Sequence, residues 1–309
     1  MDGLILVNKQ RGMSSHDVVK ILRQLTRVRK IGHAGTLDPT AEGLLLACVG
    51  KATKLTSFLQ ELDKTYYGRM VFGVTTSTLD EEGEGLVNVD ASTLTEQRVE
   101  SIFEQFQGKL SQIPPMHSAI HWHGERLYNL ARAGTTVDLN PRTVHIYDLD
   151  LVGFLPGLHP AAEFRLRCSK GTYVRSVCRD VGEASGFGAY QAFLQRTNVG
   201  NFSLEEARTL DELSKIAAIG RLPDVVMDMI EILPHFPKVC LKAGADRLVK
   251  WGRPLYLSHV AELSPMLEKG DRVRLCSSEG RLLALGVALQ SGLHFVRDKA
   301  GFKYLRVLV

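Results

Sequence analysis

The sequence predicts an α+β chain in two parts, a large mixed unit of helices and strands followed by a small β-barrel. Up to residue 234, segments with apolar residues at helical spacing are interleaved with segments of period two. Beyond Pro223, Pro234 and Pro237 the chain turns to short strand-like runs separated by glycines. A length of 309 residues suits one large and one small domain, here 1–234 and 235–309.

Residues 3–7 are an apolar run closed by Asn8-Lys9 and read as a strand. Ser14 or Ser15 can cap a helix in which Val18, Val19, Leu22 and Leu25 recur at helical spacing. Arg27, Arg29 and Lys30 at its end suit the negative pole of a helix dipole and also form a basic patch. Residues 32–39 read as a loop, 43–49 as an apolar run and 51–62 as a helix. Residues 66–74 alternate Tyr66, Gly68, Met70 and Phe72 against Tyr67, Arg69 and Val71, a strand signature. Residues 80–90 are acidic and glycine-bearing and read as a solvated loop. Thr93 or Thr95 opens a helix through Val99, Ile102 and Phe106, ended by Gly108.

Residues 112–142 are less regular and form an insertion with Pro114-Pro115 and a short helix near 125–133. Arg126, Arg132 and Arg142 are interleaved there with Trp122 and Tyr128, which makes the segment a candidate RNA-contacting arm. A surface excursion with its own small core fits the same composition. Residues 143–152 and 162–168 read as strands. Residues 173–184 and 204–219 read as helices, the second begun near Ser203. The barrel strands are expected at 239–241, 252–257, 271–276, 282–289 and 304–309, with Gly270, Gly280, Gly286 and Gly292 at turns.

Apolar content of 44% and charged content of 23% are ordinary for a globular protein. A net charge of +4 is compatible with a nucleic-acid partner without requiring one. Five cysteines without a C-x-x-C pair read as reduced thiols, which points to a cytoplasmic protein. No basic segment precedes the first apolar run, so a signal peptide is not expected, and no apolar run approaches the roughly 20 residues of a membrane span.

The most specific local signal is Gly32-His33-Ala34-Gly35-Thr36-Leu37-Asp38-Pro39. Its glycines permit a tight backbone, and Pro39 keeps Asp38 out of helical geometry. A carboxylate on a stiff loop above a buried element suits positioned nucleophilic or acid–base catalysis. Taken alone, Asp38-Pro39 also fits a routine turn in which Asp38 caps Thr40 or Ala41. The trio His117, His121 and His123 has a spacing that could hold zinc, but no fourth ligand is near in sequence, so no metal is expected.

Five ordered blocks carry a resemblance. GHAGTLDPTAEGLL, KTYYGRMVFG, QIPPMHSAIHWHGERLYNLARAG, CSKGTYVRSVCRDVG and FLQRTNVG together resemble the bacterial tRNA pseudouridine synthase family of the TruB type. The resemblance runs from Lys9 to about Gly200, and the C-terminal part more weakly resembles that family's PUA-like RNA-binding barrel. It implies the pseudouridine synthase fold, a central mixed and largely antiparallel sheet with flanking helices. It also implies that uridine 55 in the TΨC stem-loop of tRNA is the substrate.

By the resemblance, Asp38 is the catalytic aspartate and His33 the histidine that displaces loop bases. Tyr66 packs on the flipped base and is a candidate base for the proton lost. Tyr173 contacts substrate, Arg175 pairs with the catalytic carboxylate, and Leu194 walls the uracil pocket. Lys64 and Lys9 are supporting residues of the same blocks. Two positions depart from the family: Gln10 follows Lys9 where proline is usual, and His117 stands where tyrosine is common.

The implied reaction breaks the N1–C1′ bond, turns the uracil and rejoins it through C5. Nothing is oxidised, so no cofactor is expected. The base must be flipped from a folded arm, and stacking by His33 and Tyr66 offsets that cost. A buried carboxylate drifts toward neutrality, and an opposed guanidinium favours the charged form, the part assigned to Arg175. Three other readings stay open: a tRNA-folding helper, a guide-RNA-dependent synthase, and a hydrolase using Asp38 with Asp180. The expected partner is tRNA, acting on a monomer without guide RNA or membrane.

Overall fold

A computed structural model describes residues 1–118, 121, 122, 124–135, 137–292, 295, 296 and 298–309. Its strands are β1 (Gly3–Lys9), β2 (Ile31–His33), β3 (Glu42–Val49), β4 (Lys64–Phe72), β5 (Val74–Thr76), β6 (Gly85–Asn88), β7 (Gly108–Gln112), β8 (His121–Trp122), β9 (Glu125–Arg126), β10 (Arg142–Leu155), β11 (Ala161–Cys168), β12 (Ala189–Val199), β13 (Phe202–Ser203), β14 (Lys238–Leu241), β15 (Val260–Glu262), β16 (Arg272–Cys276), β17 (Leu282–Ala288) and β18 (Phe302–Val307). The helices are α1 (Ser15–Thr26), α2 (Thr56–Gln60), α3 (Glu96–Gln105), α4 (Leu127–Arg132), α5 (Val174–Ser185), α6 (Leu210–Ala218) and α7 (Asp246–Lys250).

The large sheet runs β1-β3-β12-β4-β11-β10-β7, with β2 added to β3 and β13 to β12. Every pair is antiparallel except β12 with β3, which meet in parallel at Gln195–Glu42 and Arg196–Gly43. The apolar run of β3 is continuous because both its faces are covered. Leu45, Ala47 and Val49 pack with Ile5, Val7 and α1. Leu44, Leu46 and Cys48 pack with Leu4 and Leu6 on the other face. A separate core lies between β4, β10 and β11 and helices α3 and α5, around Phe164, Phe103 and Phe72.

The second sheet runs β15-β14-β16-β17-β18 around Leu241, Val273, Leu275 and Phe302. Its Cys276, Leu282, Leu285 and Leu308 join the core that contains Leu4 and Leu44. Arg274 donates to the carbonyls of Ile230, Pro234 and Phe236, which fixes the connecting segment to β16. Arg272 pairs with Glu61 at 2.6 Å, and Lys54 donates to the Val307 carbonyl at 2.9 Å.

The local signals account for most boundaries. Ser14 caps α1 in a reciprocal box with Asp17, and Thr95 caps α3. The single helix expected at 204–219 is instead a 3₁₀ turn, Leu204–Glu206, followed by α6. Thr209 makes its own capping box with Glu212, which restarts the helix and ends the earlier turn. Residues 252–257 form no strand, and α7 stands just before them. Gly286 lies inside β17 rather than at a turn. A Cβ there would crowd the Lys303 carbonyl across the ladder, so the glycine serves close strand approach. Within the expected loop at 32–39, Gly32 and His33 extend β2 along β3.

Gly43 decides how the parallel seam forms. Its φ is +99°, and a side chain would run into the main chain of Arg196. We therefore expect Gly43→Ala to cost about 2 kcal/mol or more of stability by combining backbone strain with a steric clash. Urea denaturation of the two proteins measures it, and an unchanged midpoint would contradict this account of the seam.

Candidate active site

Asp38 stands on the loop joining β2 to β3, and that loop is held from three sides. The Ala34 N–H donates to the Leu46 carbonyl at 2.9 Å. Ser15 of α1, which is buried, donates to the Leu37 carbonyl at 3.0 Å and accepts from the Leu37 N–H at 2.9 Å. From β12, the fully buried Arg196 donates to the carbonyls of Gly35 at 3.1 Å, Thr36 at 3.5 Å and Leu44 at 2.8 Å. The Ala41 N–H donates to the Asp38 carbonyl at 3.1 Å, so the main chain does close a turn. The Asp38 side chain leaves that turn and meets Arg175 Nη2 at 2.8 Å.

Arg175 lies at the start of α5. Gln112 of β7 anchors that start by accepting from the Tyr173 N–H at 2.8 Å and donating to its carbonyl at 3.1 Å. The Arg175 side chain is 6% exposed whereas that of Asp38 is 39% exposed, so the carboxylate is reachable while its partner is locked. Arg175 also donates to the carbonyls of Thr78 at 3.0 Å and His117 at 2.9 Å. Its Nη1 lies 3.5 Å from Asp80, whose side chain is buried. Asp80 thus departs from the solvated acidic loop expected at 80–90, although Glu81 to Val89 are mostly exposed. Burial is possible because a guanidinium stands opposite the carboxylate and Thr78 Oγ1 donates to it.

Asp38 and Arg175 border two cavities. The first, about 400 Å³, is lined by Lys64, Tyr66, Tyr173 and Leu194 as well. The second, about 580 Å³, is lined by His16, His33 and His117. Both fall in the usual range of small-ligand sites, about 300–1000 Å³. Lys9 lines neither: it is fully buried and donates to the carbonyls of Met13 at 2.8 Å and Gln10 at 3.1 Å. Burial lowers its pKa to about 8, opposed by the charges of Asp38 and Glu42.

Strand register explains the first cavity. Lys64 and Tyr66 share one face of β4, and Leu194 and Arg196 share one face of β12. Arg196 lies directly opposite Tyr66, and Leu194 opposite Gly68. Burial pushes the Tyr66 hydroxyl up to about 12. Burial likewise raises the Tyr173 hydroxyl. Burial, and then the Arg196 charge, lower the pKa of His33. Its Nδ1 is buried without a hydrogen-bond partner among the described residues.

Arg196 and Gln191, like Asp80, were not singled out from the sequence. Gln191 is buried, lines the first cavity and carries a side-chain oxygen without a partner among the described residues. Both sit on β12, and strand parity with Leu194 is the signal that would have found Arg196. Asp180 does not line the first cavity but pairs with Arg179 at 2.6 Å. Of the histidine trio, His123 and the side chain of His121 lie outside the described residues. So do the side chains of Trp122, Arg126, Tyr128 and Arg132. Among the described residues, no three histidine, cysteine or acidic side chains cluster as a metal site would. No described helix is long and apolar enough to cross a membrane.

Residues 23–174 match the TruB family pseudouridylate synthase N-terminal domain, and residues 237–299 match the PUA domain. The chain is 42% identical over 310 residues to tRNA pseudouridine synthase B of Pelotomaculum thermopropionicum, covering 100% of this chain and 97% of the relative. It is 35% identical to the protein of that name from Clostridium tetani, covering 100% of both. In three dimensions it superposes on a chain of the archaeal box H/ACA sRNP Nop10-Cbf5 complex with a TM-score of 0.75 and 24% identity, covering 99% of this chain and 86% of the other. A chain of a Cbf5-Nop10-Gar1 complex gives 0.74 at 25% identity, with 99% and 85% covered. The architecture is therefore the α+β pseudouridine synthase fold with a C-terminal PUA domain, and the chain belongs to the TruB family of pseudouridylate synthases and is an isomerase.

Proposed function

We propose that this protein converts uridine 55 in the TΨC stem-loop of tRNA to pseudouridine, with Asp38 as the catalytic group. The observation that carries the reading is the Asp38–Arg175 pair, accessible on the carboxylate side and locked on the other, at the edge of a nucleoside-sized cavity. Relatives that match along their whole length carry the name tRNA pseudouridine synthase B, which supports tRNA as the substrate. In this reading residues 1–234 are the catalytic domain, 112–142 an RNA-contacting insertion and 235–309 an RNA-binding domain. The enzyme works as a cytoplasmic monomer without cofactor.

The roles follow from position. The flipped uracil enters between Tyr66 and Leu194, whose apolar surfaces replace the stacking it loses. His33, in the adjoining cavity, holds open the space the base has left. Tyr173 packs against the sugar side of the cavity. Arg175 orients Asp38 toward C1′ and C6, and Asp80 orients Arg175. Lys9 secures the loop at residues 10–13, next to the Asp38 turn, through its carbonyl contacts.

Three outcomes are expected. Asp38→Asn should lose pseudouridine formation on unmodified tRNA by about 1000-fold or more while binding tRNA within about threefold, because the catalytic carboxylate is removed and the RNA surface is not. Conversion is scored by carbodiimide labelling and binding by filter retention; full conversion by Asp38→Asn would sink the assignment. Asp80→Asn should lower kcat by roughly 10- to 100-fold with little change in KM, since it loosens the guanidinium rather than the substrate surface. A change confined to KM would place Asp80 in RNA binding instead. A TΨC stem-loop alone should be converted without any guide RNA; a strict requirement for a second RNA would favour the guide-dependent reading that the H/ACA likeness raises.

A further inference from the structure

Lys64 and Arg196 are buried cations beside the first cavity, and their hydrogen bonds go to main-chain carbonyls. Lys64 donates to the Gln60 carbonyl at 2.6 Å and to that of Leu62. Arg196 donates to Gly35, Thr36 and Leu44. Neither forms a salt bridge with a carboxylate among the described residues, whereas Arg175 has two. An ammonium has three donors, so Lys64 keeps one beyond the two carbonyls. Register aims both cations at the same space, since Lys64 shares a face with Tyr66 and Arg196 lies opposite Tyr66. Burying two positive charges with no carboxylate in direct contact is costly, and it is repaid where negative charge develops in a water-poor cavity.

We infer that Lys64, backed by Arg196, stabilises the uracil anion released when the glycosidic bond breaks. The inference rests on the pseudouridine reading and assigns it a further catalytic residue. When N1–C1′ breaks, the bonding pair leaves with the base and spreads over N1, O2 and O4. The sugar carbon either bonds to an Asp38 oxygen or loses its neighbouring 2′ proton to that carboxylate, and both routes release the same anion. C5 of the turned base then bonds C1′, displacing Asp38 or restoring the 2′ proton. The freed Asp38 carboxylate takes the C5 proton and passes it to solvent, and N1 takes one proton from solvent, so the product is an isomer of the substrate. Throughout the turn the charge sits on ring oxygens that can face the free Lys64 donor. Burial, and then the Arg196 charge, lower the pKa of Lys64 to about 8, opposed by the Asp63 charge.

A purely structural alternative is that Lys64 caps the carbonyls at the end of α2. The two are separated by the leaving group. Fluorine at C5 withdraws electrons and stabilises the same anion without help from the protein. Single-turnover cleavage of the N1–C1′ bond is compared for stem-loops carrying uridine or 5-fluorouridine at the target position. Lys64→Gln keeps a donor for the carbonyls and removes the charge; Lys64→Met removes both and controls for the cap. With uridine, Lys64→Gln should be slower by roughly 100-fold, and with 5-fluorouridine by no more than about tenfold. Equal losses on both substrates, or no loss on uridine, would overturn the inference. If the unaltered protein fails to convert uridine at all, the proposed function falls instead, so the two failures are distinguishable. Should Lys64→Gln unfold, Lys64→Met and Lys64→Arg are compared by the same ratio, with Lys64→Arg expected to restore the ordinary response to fluorine.

Discussion

The guanidinium of Arg175 is the constraint on which the catalytic face depends. It meets Asp38 from the loop before β3, Asp80 and the Thr78 carbonyl from the turn after β5, and the His117 carbonyl from the insertion. Four acceptors from three peripheral segments therefore converge on one side chain at the head of α5. A planar fork of five donors suits this better than an ammonium would. The segments after β5 and in the insertion are surface loops, whereas the Asp38 loop also buries Ala34, Leu37 and Ala41. Together they are fixed because a buried guanidinium is costly unless its donors are used. The same bonds leave one edge of Asp38 open, which is the edge a substrate needs.

A second guanidinium does for the main chain what Arg175 does for the carboxylates. Arg196 reaches across the β12–β3 seam to three carbonyls of the 35–44 stretch. Gly43 lets the two strands approach closely enough for that reach. The Asp38 turn is thereby tied to the middle of the sheet and, through Ser15, to α1. Catalytic precision of this kind requires supports on rigid elements rather than on other loops. The PUA sheet adds to the rigidity indirectly, since its Leu285 and Leu308 share a core with Leu44 and Leu46 of β3.

Where a signal is local, the sequence could be read closely. The capping serine before α1, the alternation of β4 and the Asp-Pro turn all depend on residues within four positions of one another. Elements set by distant partners were harder. β12 carries Gln191, Gln195 and Arg196 among its apolar residues, so its alternation is masked, yet it is central in the sheet and contributes Leu194. Asp80 sits in an acidic stretch that composition marks as solvated, and only Arg175, 95 positions along the chain, explains its burial. Family resemblance supplied the grouping of Asp38, Tyr66, Arg175 and Leu194, which spacing alone left open. It named Lys64 only as a supporting residue and did not point to Arg196, because the carbonyls they hold have no sequence signature.

The division of charge within the site has a physical logic. Asp38 and Asp80 are both assigned to Arg175, so the two carboxylates share one cation. Among the described residues, Lys64 and Arg196 instead donate to main-chain carbonyls and form no salt bridge, and carbonyl dipoles fix a cation in place without cancelling its field. A carboxylate beside either one would quench that field and repel a negatively charged base. In the proposed reaction, strands β4 and β12 put positive potential beneath the uracil ring, and the Asp38 loop puts negative charge beside it. A bond that breaks with electrons flowing from sugar to base is favoured by that polarity. In the same proposed reaction, that polarity holds the anionic base in the cavity until C5 has turned toward C1′.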